Sequence, residues 1–225
     1  KVLEESPSIA ISEELRKRMG ETAVRAAKAV GYENAGTIEF LLDKNKNFYF
    51  MEMNTRIQVE HGITEMVSGV DLVREQLRIA SGLPLSVTQE AVHITGHAIE
   101  CRVNAEDPAA DFRPCPGTVE FLHFPGGPGV RVDSCLYTGC QLPPWYDSLA
   151  AKVMAHAPTR LEAIRRMRRS LEEFILEGFP TNAELSYQIL YHPDFIRGCC
   201  TTAFLDEHLP ELLEFRRRLE EETKV

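Results

Sequence analysis

Phe50-Met51-Glu52-Met53-Asn54-Thr55-Arg56-Ile57-Gln58-Val59-Glu60-His61 begins as an apolar strand and runs straight into a dense polar series. Side chains alternate across an extended backbone. In that geometry Glu52, Asn54, Arg56, Gln58 and Glu60 all fall on one face, offering acids, amides and a guanidinium to a single site. Just upstream, residues 37–42 and 48–54 read as two strands, and Asp43-Lys44-Asn45-Lys46-Asn47 between them as a polar turn. The resulting hairpin carries Glu39 nearly opposite Glu52. The loop permits a register that pairs these two carboxylates without fixing it.

Two carboxylates held together repel, and the conflict normally raises one pKa. A divalent cation removes it. Hard oxygen ligands suit Mg²⁺, which takes one or two carboxylates together with nucleotide phosphates and water. Taken alone, Glu39 and Glu52 read better as ordinary exposed strand residues than as a metal site. The polar continuation favours a site. Arg56 suits a planar carboxylate or bicarbonate, held through paired hydrogen bonds, and Glu60 can act as a base toward a bound acid. A second strip lies at residues 97–104. There Glu100, Arg102 and Asn104 share one face while Ile99, Cys101 and Val103 share the other. Arg102 on a buried strand can stabilise developing negative charge, or it can form a structural salt bridge with Glu100 or Asp107.

Around these strips the chain reads as two structured blocks, residues 1–85 and 86–225, separated by a Pro-containing polar stretch near 83–92. The first block holds a helix over 12–30, capped by Ser12 and ended by Gly31. A loop follows around Gly62, and then a helix that Asp71 caps and Gly82 closes. The second block opens β-rich, with strands expected at 97–104, 118–124, 130–134 and 149–155 and a turn at Pro125-Gly126-Gly127-Pro128-Gly129. It ends helical. Thr159 with Glu162, and Thr181 with Glu184, read as capping boxes. Arg165, Arg166, Arg168 and Arg169 follow an apolar stripe and read as a solvated face. The charged stretch 211–222 reads as a solvated helix or frayed tail.

At 225 residues, with 44% hydrophobic and 26% charged residues, the chain has the composition of a globular protein. A net charge of -9 without a basic stripe argues against nucleic acid as a partner. No apolar run approaches the roughly 20 residues needed to span a bilayer, and Lys1-Val2-Leu3-Glu4-Glu5 has no signal-peptide pattern. The six cysteines form no C-x-x-C pair, so zinc on thiolates is not expected, and reduced thiols in a cytoplasmic protein are. His61, His93, His97 and His123 lack metal spacing and read as structural.

Four blocks carry a resemblance to one family. Glu52 through His61 resembles the signature of biotin carboxylases, as do Gly36-Thr37-Ile38-Glu39-Phe40, His97-Ala98-Ile99-Glu100-Cys101-Arg102-Val103-Asn104-Ala105-Glu106-Asp107 and Pro143-Pro144-Trp145-Tyr146-Asp147-Ser148. The blocks occur in the family's order and span nearly the whole chain, which reads as the family's C-terminal half. The resemblance implies an α+β fold: the C-terminal part of an ATP-grasp domain at 1–85, then the biotin carboxylase C-terminal domain at 86–225. It implies a ligase that carboxylates biotin on a carrier protein, using ATP and bicarbonate, within acetyl-CoA carboxylase of fatty acid synthesis or a related carboxylase.

The same resemblance places Mg²⁺ or Mn²⁺, two ions with ATP, on Glu39 and Glu52 with Asn54 assisting. It places bicarbonate on Arg56, Gln58 and the Val59 N–H, gives the base to Glu60, and sets Arg102 to stabilise the biotin enolate. It implies a homodimer working with carboxyltransferase subunits. Gly62 stands where a proline commonly follows the Glu-His pair, so a looser loop is expected there. The family's N-terminal domain, glycine-rich flap and phosphate-binding lysines lie outside the chain, so it is expected to be inactive alone. A non-catalytic dimerisation or scaffold fragment is the alternative. Carbamoyl-phosphate synthetase, another ATP-grasp ligase, is disfavoured by Arg56-Ile57-Gln58-Val59-Glu60-His61.

Overall fold

A computed structural model describes the backbone of residues 1–222 and the side chains of residues 1–214. The chain starts with β1 (Leu3–Ser6) and α1 (Glu13–Ala29), continues through the hairpin β2 (Thr37–Leu42) and β3 (Phe48–Asn54), and then forms α2 (His61–Ser68) and α3 (Leu72–Ala80). The strands β4 (His97–Asn104), β5 (Glu106–Asp107), β6 (Arg113–Pro114), β7 (Gly117–Thr118), β8 (Phe121–His123), β9 (Val130–Asp133), β10 (Gln141–Leu142) and β11 (Leu149–Ala157) follow. Last come α4 (Arg160–Glu173), β12 (Ile175–Glu177), α5 (Ala183–Ile189), α6 (Pro193–Arg197) and α7 (Phe204–Glu222). This is the expected α+β mixture. Two compact units result: one runs from Ser6 to Thr95, and the other joins Lys1–Glu5 to Gly96 onward. No described helix is long and apolar enough to cross a membrane.

In the unit that starts at Ser6, the helix ends follow local chemistry. Ser12 accepts a hydrogen bond from Leu15 N–H, and Asp71 one from Arg74 N–H. The loop expected around Gly62 is absent. Helix α2 begins at His61 and holds Gly62 as a buried residue. A residue with no side chain lets the helix lie against its surroundings where a longer one would be pushed out.

The other unit is built on a four-stranded sheet in the order β1-β4-β11-β9, with β11 antiparallel to both neighbours. Alternation makes its core. Ile99, Cys101 and Val103 of β4, with Ala151, Val153, Ala155 and Ala157 of β11, face one way and pack with Ala163, Ile164, Met167 and Leu171 of α4. Three alanines on β11 leave room for the helix to approach closely. The opposite sheet face mixes charge with the fully buried Ala98 and Met154. Glu100 is fully buried there, Arg102 pairs with Glu4 of β1 at 2.7 Å, and Lys152 lies 3.4 Å from Asp133. Strand β1 has no counterpart in the sequence reading, yet its backbone takes the Arg102 N–H through Val2 O at 3.0 Å.

Several local expectations are corrected. Residues 118–124 do not form one strand: β7 pairs with β10 and β8 pairs with β12. The crossing places Gly178 (φ +118) so close to Thr118 that an added Cβ would lie 1.9 Å from its carbonyl oxygen. The Thr159–Glu162 capping box forms, but the Thr181–Glu184 one does not. Helix α5 starts from Asn182, whose side chain makes no cap. That buried amide instead accepts from Asn104 N–H at 2.8 Å and donates to Arg102 O at 3.0 Å, continuing the hydrogen-bond ladder of β4. Of the four arginines read as a solvated face, Arg165 and Arg169 are exposed as expected. Arg166 and Arg168 are part-buried and donate to His156 O and Leu190 O, and Arg169 also donates to Gly126 O. Helix α7 starts at Phe204 and buries Leu212. The solvated face expected for its later side chains falls outside the described residues.

Glu5 ties β1 to the rest of its unit. It accepts from Arg160 at 2.6 and 3.2 Å and lies 2.9 Å from His97 Nε2. Burial pushes its carboxyl up, but the hydrogen bonds from His97 and Arg160 outweigh that and hold it below the ordinary value of 4.5. A depressed folded-state pKa contributes stability above the unfolded value and loses it as pH falls through the folded one. Glu5→Gln should therefore lower unfolding stability by about 1–3 kcal/mol at neutral pH. The gap to wild type should close as pH falls below 4.5. Urea unfolding across that range tests this, and a gap independent of pH would count against the assignment.

Candidate functional site

The hairpin turn is locked by Asp43. Its Oδ1 accepts from the N–H groups of Asn45 and Asn47 at 2.8 Å each, and its own N–H reaches Asn47 O at 2.9 Å. From that turn the register pairs Leu42 with Phe48, Leu41 with Tyr49 and Phe40 with Phe50. Carried on unchanged, it would set Glu39 opposite Met51. The register shifts between Glu39 and Phe40, and beyond the shift Glu39 pairs with Glu52, Ile38 with Met53 and Thr37 with Asn54. Met51 is the extra residue of a β-bulge, a device that re-aims side chains. The bulge brings the two carboxylates face to face.

The cost of that approach is offset by amides. Asn54 Nδ2 donates to Glu39 Oε1 at 3.0 Å and to Glu52 Oε1 at 2.9 Å. Gln58 Nε2 donates to Glu39 Oε1 at 2.9 Å, and Gln58 Oε1 accepts from Arg56 Nη1 at 3.2 Å. One continuous run of hydrogen bonds therefore joins Glu52, Asn54, Glu39, Gln58 and Arg56. Gln58, only 9% exposed, is its link.

The extended strip over residues 52–60 is corrected. Strand β3 stops at Asn54 and the chain turns back. His61 N–H bonds to Gln58 O at 3.3 Å and Ile63 N–H to Glu60 O at 3.3 Å, so Glu60 is the first residue of the approach to α2. Gln58 reaches Glu39 by this fold-back, not by alternation, and Arg56 joins the run through Gln58 Oε1. Arg56 also donates to its neighbour's carbonyl, Ile57 O, at 3.1 Å. Val59 and Glu60 lie in the same turn, half-buried, and the Glu60 side chain does not cap its own helix.

Arg102 stands in the other unit. Its Nη2 lies 2.7 Å from Glu4 Oε1 of β1. Beside it across the sheet Lys152 pairs in register, and Arg131 holds Asp133 through two bonds of 2.8 Å. Burial raises the Asp133 carboxyl, and Arg131 and Lys152 together bring it below its ordinary value. Trp145 and Tyr146 are exposed. Sequence reasoning missed Glu4, Asp133 and Lys152. Lys1-Val2-Leu3-Glu4-Glu5 has no period-two alternation, so the sequence carries no local signal for the strand.

The carboxylate pair fits a hard cation. Its donor set is oxygen only, with neither thiol nor imidazole among the bonded residues, which suits Mg²⁺ or Mn²⁺ over softer metals. Asn54 presents its N–H₂ to both carboxylates here, so its amide would turn over to offer Oδ1 as a ligand.

Comparison with known proteins agrees with this geometry. The family described as biotin carboxylase C-terminal domain matches residues 100–207. The family described as carbamoyl-phosphate synthase L chain, ATP binding domain, matches residues 1–88. A biotin carboxylase of a Nostoc species is 55% identical over 207 residues, covering 92% of this chain and 46% of the relative. A pyruvate carboxylase subunit of Methanothermobacter thermautotrophicus is 53% identical, covering 92% of this chain and 42% of the relative. The biotin carboxylase domain dimer of Hydrogenobacter thermophilus 2-oxoglutarate carboxylase, solved with MgADP, ADP and bicarbonate, superposes with a TM-score of 0.91. It is 46% identical, with 94% of this chain and 47% of that one covered. The chain thus spans about half the length of the curated relatives it matches.

The bridging role of Gln58 is open to test. Gln58→Leu keeps volume and burial but removes the donor to Glu39 and the acceptor for Arg56. It should lower unfolding stability by about 1–3 kcal/mol, read by urea denaturation. Stability equal to wild type would show that the amide bridge contributes nothing.

Proposed function

Because the chain belongs to the biotin carboxylase family, we propose that it supplies the metal- and bicarbonate-holding part of an enzyme that carboxylates biotin on a carrier protein at the expense of ATP. The observation that carries this reading is the hydrogen-bonded run from Glu52 through Asn54, Glu39 and Gln58 to Arg56. It sets a cation-binding carboxylate pair and an anion-binding guanidinium at the two ends of one rigid strip. Residues 1–85 are read as the C-terminal part of an ATP-grasp domain and 86–225 as the biotin carboxylase C-terminal domain.

On this reading Glu39 and Glu52, with Asn54 turned over, hold the magnesium or manganese ions that accompany the nucleotide. When bound, such ions neutralise phosphate charge. Arg56, Gln58 and the Val59 N–H hold bicarbonate as a planar anion. Glu60 removes its proton, since a guanidinium such as that of Arg56 donates hydrogen bonds only and has no lone pair to accept one. The bicarbonate oxygen then bonds to the γ-phosphorus as the bond to ADP breaks, giving carboxyphosphate. That intermediate splits into CO₂ and phosphate, and the phosphate takes the N1 proton of biotin. The ureido nitrogen attacks CO₂ while Arg102, fixed by Glu4, stabilises the enolate-like oxygen.

Acetyl-CoA carboxylase, serving fatty acid synthesis in the cytoplasm, is the parent we propose. Its other parts would be a biotinylated carrier, carboxyltransferase subunits and a second copy of the same chain. The likeness to pyruvate and 2-oxoglutarate carboxylases defines the rival acceptors.

In the parent enzyme Glu60→Gln keeps shape and hydrogen bonding but removes the base. It should lower kcat by about 10²–10⁴ while KM for ATP stays within a few-fold. Arg56→Ala should raise KM for bicarbonate as well as lower the rate. Steady-state assay of bicarbonate-dependent phosphate release separates the two, and near-normal kcat in Glu60→Gln would refute Glu60 as base.

A further inference from the structure

We propose that His192, His208 and Glu211 form a binding site for a divalent transition-metal ion of the zinc type, with Asp194 positioning His208, and that the ion fastens α7 to the start of α6. Among the described residues this is the one group of three or more His, Cys, Asp or Glu whose donor atoms all lie within 4.8 Å of one another. It lies wholly in the unit built on the four-stranded sheet, away from the hairpin residues.

The local sequence explains the convergence. His208 and Glu211 are three apart on α7, which puts both on one helix face. His192 is the residue before Pro193, the first residue of α6, and caps that helix. Phe204 holds the rings in place. Its own ring is nearly buried and packs edge-on to His192 at 5.0 Å and against His208 at 5.0 Å, while the two imidazoles lie 4.3 Å apart.

The polar contacts sort into ligands and support. His208 directs Nδ1 toward Glu211 Oε2 at 3.9 Å and Nε2 toward Asp194 Oδ2 at 3.6 Å. A carboxylate behind one imidazole nitrogen fixes the tautomer that leaves the other nitrogen's lone pair for a metal. Asp194 is itself anchored by Arg197 at 2.5 Å. His192 Nδ1 lies 4.0 Å from Asp194 Oδ2 and accepts the Asp194 N–H at 3.2 Å; ligation exchanges this cap bond for a metal bond. Zinc bonds of about 2.0–2.2 Å put tetrahedral ligands roughly 3.3 Å apart, so modest side-chain rotation closes the set. Two imidazoles and one carboxylate select zinc, cobalt or nickel over magnesium and leave a fourth position for water.

Cobalt(II) and zinc(II) titrations of the purified chain test this, in a Cys135→Ser/Cys199→Ser/Cys200→Ser background because those three exposed cysteines could also take up the metals. Saturable cobalt d–d absorption without thiolate charge transfer is expected, displaced by zinc. Zinc should raise Tm and magnesium should not, since a ligand bound only to the folded state stabilises it. His208→Ala should abolish the cobalt spectrum, and Asp194→Asn should weaken affinity by about 10- to 100-fold. Glu211, largely exposed, can be changed to Gln without disturbing the core, and Glu211→Gln should also weaken binding. A missing d–d band, or cobalt affinity in His208→Ala and Glu211→Gln equal to that of the parent chain, would overturn the proposal and leave a hydrogen-bonded histidine cluster only.

Discussion

Like charges set directly across a strand pair repel, and the Glu39–Glu52 pair is built against that repulsion. The turn register alone would have avoided it, placing Glu39 across from Met51. A single inserted residue overrides the register, and the fold then meets the cost locally. Asn54 gives one amide to both carboxylates, and Gln58 gives another to Glu39. The fold-back after Asn54 follows from the same constraint. A strand continuing to Glu60 would carry Gln58 away from the hairpin and leave Glu39 with one amide fewer. Like charge facing like charge, with neutral donors between, is the arrangement on which the proposed cation site rests.

The other unit meets its charge differently. The outer face of its sheet carries Glu4, Glu100, Arg102, Lys152 and Asp133, part-buried or fully buried, where an apolar layer would have been simpler. Replacing buried ion pairs by well-packed apolar groups is often neutral or stabilising, whereas removing one partner is strongly destabilising. Charge on this face therefore reads as a functional requirement held in place by mutual pairing. Its stability rests on the opposite face, where small residues on β11 let α4 close over β4.

Much of the fold was legible because the governing interactions are short in sequence. The Ser12 and Asp71 caps, the Thr159–Glu162 box and the Asp43 turn each involve residues within four positions of one another. What escaped depends on distant partners. The strand β1 exists because β4 lies beside it. Thr181 loses its capping role because Asn182 is recruited by Asn104 and Arg102, nearly eighty positions away in sequence. Arg166 and Arg168 of α4 look solvated in a helical projection and are instead drawn onto carbonyls of β11 and of the end of α5, which the projection does not contain.

The candidate site shows the same division from the other direction. Of the residues that alternation singled out, Glu52, Asn54, Arg56 and Gln58 do meet in one hydrogen-bonded run and Glu60 lies in the turn that follows, but the reason those four meet was not legible. Alternation describes a strand, and the chain leaves the strand at Asn54. The grouping survived because polar groups near a carboxylate pair are drawn toward its unmet acceptors. Gln58 is buried only because one end of its amide meets Glu39 and the other meets Arg56. A residue with a single polar function could meet only one of them: a carboxylate at 58 would repel Glu39, and a lysine would offer Arg56 no acceptor. An amide of this length, with a donor and an acceptor at opposite corners, can couple the carboxylate pair to the guanidinium without adding charge to either.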